Sequence, residues 1–254
     1  MKKLFACFSA ILILASLSIT ASAQKKQMTW TTNSDKARDV ALKGAEYMMN
    51  IEFPQAYEAF LQAVKEDPEF TVVLVFLSNM TVGETRKDYT QRAIKSASNK
   101  TEGEKLLVTL LDEKGTIETR RDIWARLHQM FPDGGMIENY YVSTRATPQE
   151  RMTAGQEYLK KYPAKGYIHN LLGYFYMNDL KDNATAKMHF EKYIELYPDG
   201  YNPYDSMGEF YFNTGDMVNS EKYYTMALER YPFNTSSIQK IDEIVKAKKA
   251  KAAN

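Results

Sequence analysis

The feature that most constrains this 254-residue chain is that it repeats itself. Residues 201–232, "YNPYDSMGEFYFNTGDMVNSEKYYTMALERYP", lie in register under residues 166–198, "GYIHNLLGYFYMNDLKDNATAKMHFEKYIELYP". Gly208 falls on Gly173, Tyr211 on Tyr176, Tyr224 on Phe190 and Pro232 on Pro198. The later half recurs at 34 residues, whereas the glycines are 35 apart, so one extra residue belongs to the 178–185 turn. A fixed period of this length marks stacked supersecondary units, none of which can bury its apolar face alone.

The punctuation within a unit is helical. "TEGE" (101–104) is a capping box, with Thr at the cap and Glu three residues on. In "NPYD" (202–205), Asn202 is expected to cap a helix and Pro203 to take its first position, with Asp205 at the positive helix end. "NTGD" (213–216) ends that helix and starts the next. Gly208 and Gly173 interrupt strong helical patterns, where Gly costs about 1 kcal/mol relative to Ala. That cost makes sense if the paired helix crosses close by. Tyr204, Met207, Tyr211, Tyr224 and Ala227 then form the apolar stripe between helices.

These residues resemble the tetratricopeptide repeat, whose pattern is Trp-x2-Leu-Gly-x2-Tyr, Ala-x3-Phe and a closing Pro. In "KGAEYMMNIEFPQAYEAFLQAVKEDP", Gly44, Tyr47, Ala56, Phe60, Ala63 and Pro68 all fall at the family's spacing. Residues 201–232 fit with Ser220 for the Ala and Tyr224 for the Phe. The middle is more degenerate: Val108 stands where a Gly belongs, Pro163 closes a shorter unit, and 69–98 reads as two helices without a closing Pro. The resemblance implies an all-α, right-handed superhelical solenoid of antiparallel helix pairs, with about six repeats over 37–232. The clearest units are 37–70, 166–199 and 201–234. An N-terminal leader (24–36) would precede the repeats, and a C-terminal helix with a basic tail (233–254) would follow.

The first 23 residues read as a signal peptide. "MKK" is a basic n-region, "LFACFSAILILASLSI" an apolar stretch, and "ASA" a cleavage site after Ala23. No later stretch approaches the roughly 20 apolar residues of a membrane span. A periplasmic or secreted product is expected, with no transmembrane span after cleavage. Its cysteine count is zero, because Cys7 leaves with the signal, which suits an oxidising compartment. Without Lys2 and Lys3, 31 basic and 32 acidic side chains remain, a net charge of −1. Such balance lacks the electrostatic footprint of a nucleic-acid binder, and the basic "KAKKAKAAN" tail reads as a solvated helix end.

The sequence offers no catalytic constellation: no Gly-x-Ser-x-Gly elbow, His-Glu-x-x-His, phosphate-cradling loop or Cys pair. His128, His169 and His189 fall in three helices; the latter two belong to one unit, yet no carboxylate pair joins them at ligand spacing. No enzyme, cofactor or metal is expected. The resemblance places the first (A) helix of each repeat on a concave, partner-binding face. Its inward positions carry Tyr167, Asn170, Tyr174, Asn178, Asn202, Asp205, Glu209 and Asn213. Residues 167–178 and 202–213 contain no Lys or Arg, so the carboxylate clamp of chaperone adaptors does not carry over. Tyr167 and Tyr174 as anchors, amides for a peptide backbone and two acids suit a neutral or basic protein segment. The expected function is an exported scaffold or adaptor. The alternatives are a structural subunit of an envelope assembly, or a carbohydrate-binding protein or enzyme on a repeat frame.

Overall fold

The computed structural model describes residues 26–252; the signal-peptide reading of residues 1–23 lies outside them. Among the described residues there are thirteen α-helices and no strand. They run as antiparallel pairs: α1 (Asp35–Met49) with α2 (Phe53–Glu66), α3 (Thr71–Met80) with α4 (Gly83–Ser96), and α5 (Glu102–Val108) with α6 (Ile117–Met130). The next pairs are α7 (Gly135–Ser143) with α8 (Pro148–Lys161), α9 (Gly166–Tyr174) with α10 (Asn183–Leu196), and α11 (Asn202–Thr214) with α12 (Met217–Arg230). Helix α13 (Thr235–Ala252) packs on α12 and ends the described part of the helical solenoid. Among the described residues no helix is long and apolar enough to cross a membrane.

The closing prolines explain where the second helices stop. Pro68, Pro132, Pro163, Pro198 and Pro232 each stand two residues beyond the end of α2, α6, α8, α10 and α12. The residue before a proline is pushed out of helical geometry. Asp67, Phe131, Tyr162, Tyr197 and Tyr231 accordingly leave the helix at φ between −131° and −141°. Helix α4 has no such proline and unwinds instead through a 3-10 turn at Ala97–Asn99.

Glycines set the crossings within pairs. A Cβ added at Gly208 would lie 2.8 Å from the Tyr224 ring, at Gly173 2.7 Å from Phe190, and at Gly44 2.7 Å from Phe60. Ser220 fits where the pattern has Ala because its hydroxyl donates to the Gly208 carbonyl at 3.0 Å in a buried crossing. Where Val108 replaces glycine, α5 stops after seven residues and gives way to a 3-10 turn at Thr109–Leu111. The TEGE capping box forms between Thr101 and Glu104. Glu104 also accepts the Thr31 amide and hydroxyl, both at 2.8 Å, which pins the extended N-terminal segment against the repeats.

Two local expectations are corrected. The extra residue between Gly173 and Gly208 is absorbed within the end of the helix, as a π-helical turn at Phe175–Leu180 closed by Lys181 at φ 57°. A π-turn takes up one added residue without breaking the helix. Asn202 is not the cap of α11: Tyr201 holds that position with no side-chain cap bond, and Asn202 is the first helical residue. Gly215 does end α11 in left-handed geometry at φ 85°, and Asp216 caps α12 through the Asn219 amide.

Candidate functional site

The inner side of the solenoid is not an open channel. Helix α1 packs against α7, and the α1–α2 turn (50–52) docks on the corner between α10 and α11. The Tyr193 hydroxyl donates to the Asn50 carbonyl at 3.2 Å, and the Tyr201 hydroxyl to the Ile51 carbonyl at 3.2 Å. Glu52 is buried there; its carboxylate accepts the Tyr197 hydroxyl at 2.8 Å and the Tyr201 amide at 2.9 Å. Burial pushes the Glu52 carboxyl above its ordinary range, against these donors, which act to lower it.

This closure leaves a cavity of about 550 Å³. Its walls come from α9, α11, the start of α13, Asn139 of α7 and the α1–α2 turn. Of the inward residues expected from the sequence, Tyr167, Asn170, Tyr174, Asn202, Asp205 and Glu209 all line it. Asn178 and Asn213 do not; both are exposed beyond the cavity, with Asn178 inside the π-turn.

Several of these side chains are already engaged. The Tyr174 hydroxyl donates to Glu209 at 2.7 Å and lies 3.4 Å from the Ser206 hydroxyl. Burial, and then the Glu209 charge, raises that phenol well above its ordinary range, so it is a fixed donor. Tyr167 is only 4% exposed, which leaves little ring face for an anchor. Asn202 donates to the Tyr193 hydroxyl at 3.2 Å. Asp205 is buried and accepts Ser237 at 2.5 Å and Asn234 at 2.9 Å, which ties α11 to α13. The sequence treats it as a helix-end charge; desolvation instead dominates and raises its carboxyl above the ordinary range. Asn170 is 5% exposed, and its amide oxygen has no hydrogen-bond partner.

The rim was not visible in the sequence. Ile51, Phe53 and Phe233 border the cavity and are exposed by 43%, 49% and 75%. They sit in or beside inter-helix turns from opposite ends of the chain, where no periodic signal marks them.

His169 and His189 do approach, with their Nδ1 atoms 3.0 Å apart, so one neutral ring donates to the other. Tyr176 stacks on His189 at 5.4 Å. Burial, then the His169 charge, lowers His189 to about 4. Among the described residues, no group of three or more His, Cys, Asp or Glu side chains is arranged to hold a metal ion.

A solenoid of helix pairs with glycine-set crossings and a lined inner cavity defines a helical-repeat protein whose fold is compatible with a protein-interaction scaffold. Residues 171–200 match the tetratricopeptide repeat family, so that stretch of α9 and α10 is a repeat of this class. The chain's fold is similar to a chain of the APC/C hetero-tetramer Cut9-Hcn1, with a TM-score of 0.51 and 14% identity over 82% of this chain and 42% of that one. This chain therefore spans less than half of that relative's length. PilW, a widely conserved type IV pilus biogenesis factor, matches with a TM-score of 0.48 and 11% identity over 81% of this chain and 98% of its own. A thermophilic TPR protein of Thermus thermophilus gives 0.40 and 13% over 82% and 98%. No curated protein sequence matches the chain.

Proposed function

We propose that this protein is an exported, non-enzymatic scaffold that holds a neutral or basic segment of another protein in its inner cavity. The carrying observation is the cavity itself: a pocket of about 550 Å³ between successive A helices, bordered by exposed apolar side chains and lined by acids and amides, with no Lys, Arg or His among the described residues that line it. Pockets of this size, apolar with a few converging polar groups, are the usual form of specific sites. Export is supported by the n-region, apolar stretch and "ASA" before Gln24, and by the absence of cysteine from 24–254. Mass spectrometry of the product from an envelope fraction is expected to find Gln24 at its N-terminus.

The segment-holding reading is tested by placing p-benzoylphenylalanine at Phe233, on the rim, or at Val218, exposed by 72% on α12 away from the cavity. Irradiation in native envelopes is expected to give a defined adduct from position 233, and that adduct is expected to disappear with Glu209→Lys. An adduct from 218 alone favours the structural-subunit reading and removes this one.

A further inference from the structure

The first described residues sit on the repeats as a bound peptide would. Residues 26–32 form neither helix nor strand, and they alternate: Gln27 and Thr29 are exposed, Met28 is buried and Trp30 half-buried. That is the period of two of an extended chain. Main-chain bonds fix both ends. The Lys26 amide donates to the Asp133 carboxylate at 2.7 Å, and its carbonyl accepts the Asp133 amide at 3.1 Å. At the other end the Thr31 carbonyl accepts the Lys100 ammonium at 3.1 Å, while the Thr31 amide and hydroxyl go to Glu104. Between them, Met28 lies beside Gly103, where an added Cβ would stand 3.1 Å from it and 2.5 Å from the Phe131 ring. Trp30 packs on Phe70 and Phe76, with ring centroids 6.3 and 5.9 Å away. Main-chain bonds combined with pockets for alternate side chains are how extended peptides are recognised.

The groove is distant in sequence from the segment it holds. The bonds to Asp133 and Glu104 span 107 and 73 positions. The joint is Asn33, an exposed bend before Ser34, the cap of α1. These contacts do not require groove and segment to belong to one chain. They do require the groove to be filled. Glu104 is fully buried, and Thr31 supplies two of the four hydrogen bonds to its carboxylate, Thr101 the others. Losing two donors there leaves buried acceptor capacity unmet, which is costly. A segment that leaves must be replaced by one of the same chemistry, and a second copy of the chain carries it.

We propose that this groove is an interface between two copies of the chain, which exchange their N-terminal segments. Exchanging identical elements keeps the bonds and is a low-cost route to a dimer. The short joint holds the segment to its own groove at an effective concentration of about millimolar, so the dilute chain is a monomer and exchange grows as protein concentration approaches that value. This interface is separate from the inner cavity and does not depend on what the cavity binds.

The experiment uses the full exported chain, residues 24–254, with p-benzoylphenylalanine at the exposed position 27. It is mixed with an equal amount of isotopically heavy chain that lacks the probe, and the two are refolded together from denaturant and irradiated. Gln27 borders the same cavity as residues 133–137, so mass spectrometry reads whether the captured 133–137 peptide is light, from the same chain, or heavy, from a second copy. The heavy share is expected to be negligible at low micromolar protein and comparable to the light share at about 1 mM. Placing Lys100→Met in the heavy chain is expected to lower its share about fivefold, the scale of one hydrogen bond, while the light adduct persists. Glu104→Gln in the heavy chain acts in the same direction, with circular dichroism checking its fold; if it does not fold, Lys100→Met alone decides. Light adduct alone up to about 1 mM overturns the proposal. So does a heavy share that withstands these variants, because it reports collision and not docking. If nothing at 133–137 is captured, the segment is not docked there and the proposal falls with it.

Discussion

At Gly208 a helix crosses its own repeat partner; at Glu52 the first repeat touches the fifth and sixth. Both places are buried, and both fix how neighbouring units sit. The Gly208 crossing joins residues 16 apart in sequence, Gly208 and Tyr224, and recurs at Gly173 with Phe190 and at Gly44 with Phe60. It is local, an aromatic ring laid on a glycine. The Glu52 closure joins residues about 145 apart and occurs once among the described residues, through a carboxylate and three tyrosines. Local crossings build the solenoid, whereas the closure decides that its inner side holds a cavity.

The sharpest test of that division is Gly208→Leu. A single Cβ there would already stand 2.8 Å from the Tyr224 ring, and that ring is fully buried. The larger side chain must push α11 from α12 or force strained rotamers, for a loss of about 3 kcal/mol, the upper end of typical overpacking. Chemical denaturation followed by circular dichroism is the measurement. A loss below that of the closure variant described next would reverse the order of importance of the two regions.

Second in size is Glu52→Ala. It removes the acceptor for the Tyr197 hydroxyl and the Tyr201 amide, and stranding such donors in a buried site costs about 1–3 kcal/mol. The helices themselves are expected to survive, so far-ultraviolet dichroism should be unchanged while binding in the cavity weakens. Asp205→Ala should fall in the same range, because Asp205 accepts Ser237 and Asn234 across α11 and α13. A helix-end charge alone would contribute only about 0.3–1 kcal/mol.

The comparison also explains what could be read from the amino-acid order. The period, the five prolines and the glycines act over one repeat, so a single unit carries its own instructions. Tyr224 over Gly208 was legible because Phe190 over Gly173 says the same thing one period earlier. The closure has no second copy. Nothing around Asn50, Ile51 and Glu52 announces that Tyr193, Tyr197 and Tyr201 receive them, since these tyrosines read equally well as packing residues of their own repeats. For the same reason the sequence places six residues of α9 and α11 on what is the cavity wall, while nothing in it marks Ile51, Phe53 and Phe233 on the rim. Asn178 shows a third limit: the π-turn at Phe175–Leu180 carries it out of the cavity, and an inserted residue can be counted from the sequence more easily than located.

The pH dependence gives a smaller, local effect. His189 binds its proton more weakly in the folded state, at about 4, than an ordinary imidazole does, mainly because it is buried and secondly because of His169. The unfolded chain therefore takes up that proton first as pH falls. The stabilising contribution is complete above the ordinary histidine value of about 6.5 and is lost progressively as pH drops through about 4. Glu52 and Asp205, raised by burial, act in the opposite sense and lose their contribution as pH rises through their folded values. Comparing the parent with His189→Phe isolates the histidine part, since the ring keeps its place beside Tyr176. The variant is expected to show a shallower fall in stability between pH 6.5 and 4. An unchanged slope would mean that the pair at the α9–α10 crossing is not held neutral by packing.

The smallest expected effect probes the closure through its backbone. Ile51 and Lys181 are the non-glycine residues at positive φ among those described, 62° in the closure and 57° at the end of the π-turn. A left-handed conformation costs an L-residue about 1–2 kcal/mol, while glycine at the same place loses about 0.5–1 kcal/mol through the entropy of the unfolded chain. Lys181→Gly should therefore be neutral or stabilising by less than about 1 kcal/mol. Ile51 is β-branched, which makes the left-handed region less favourable still, so backbone relief alone would make Ile51→Gly the better of the two. Its side chain, however, is one wall of the cavity, and its carbonyl receives Tyr201. If the closure is held by its backbone and by Glu52, as the bonds to Asn50, Ile51 and Glu52 indicate, Ile51→Gly keeps or raises the melting temperature and only enlarges the cavity mouth. A marked loss of stability, against a gain for Lys181→Gly, would transfer the work of closing the solenoid from those hydrogen bonds to the Ile51 side chain.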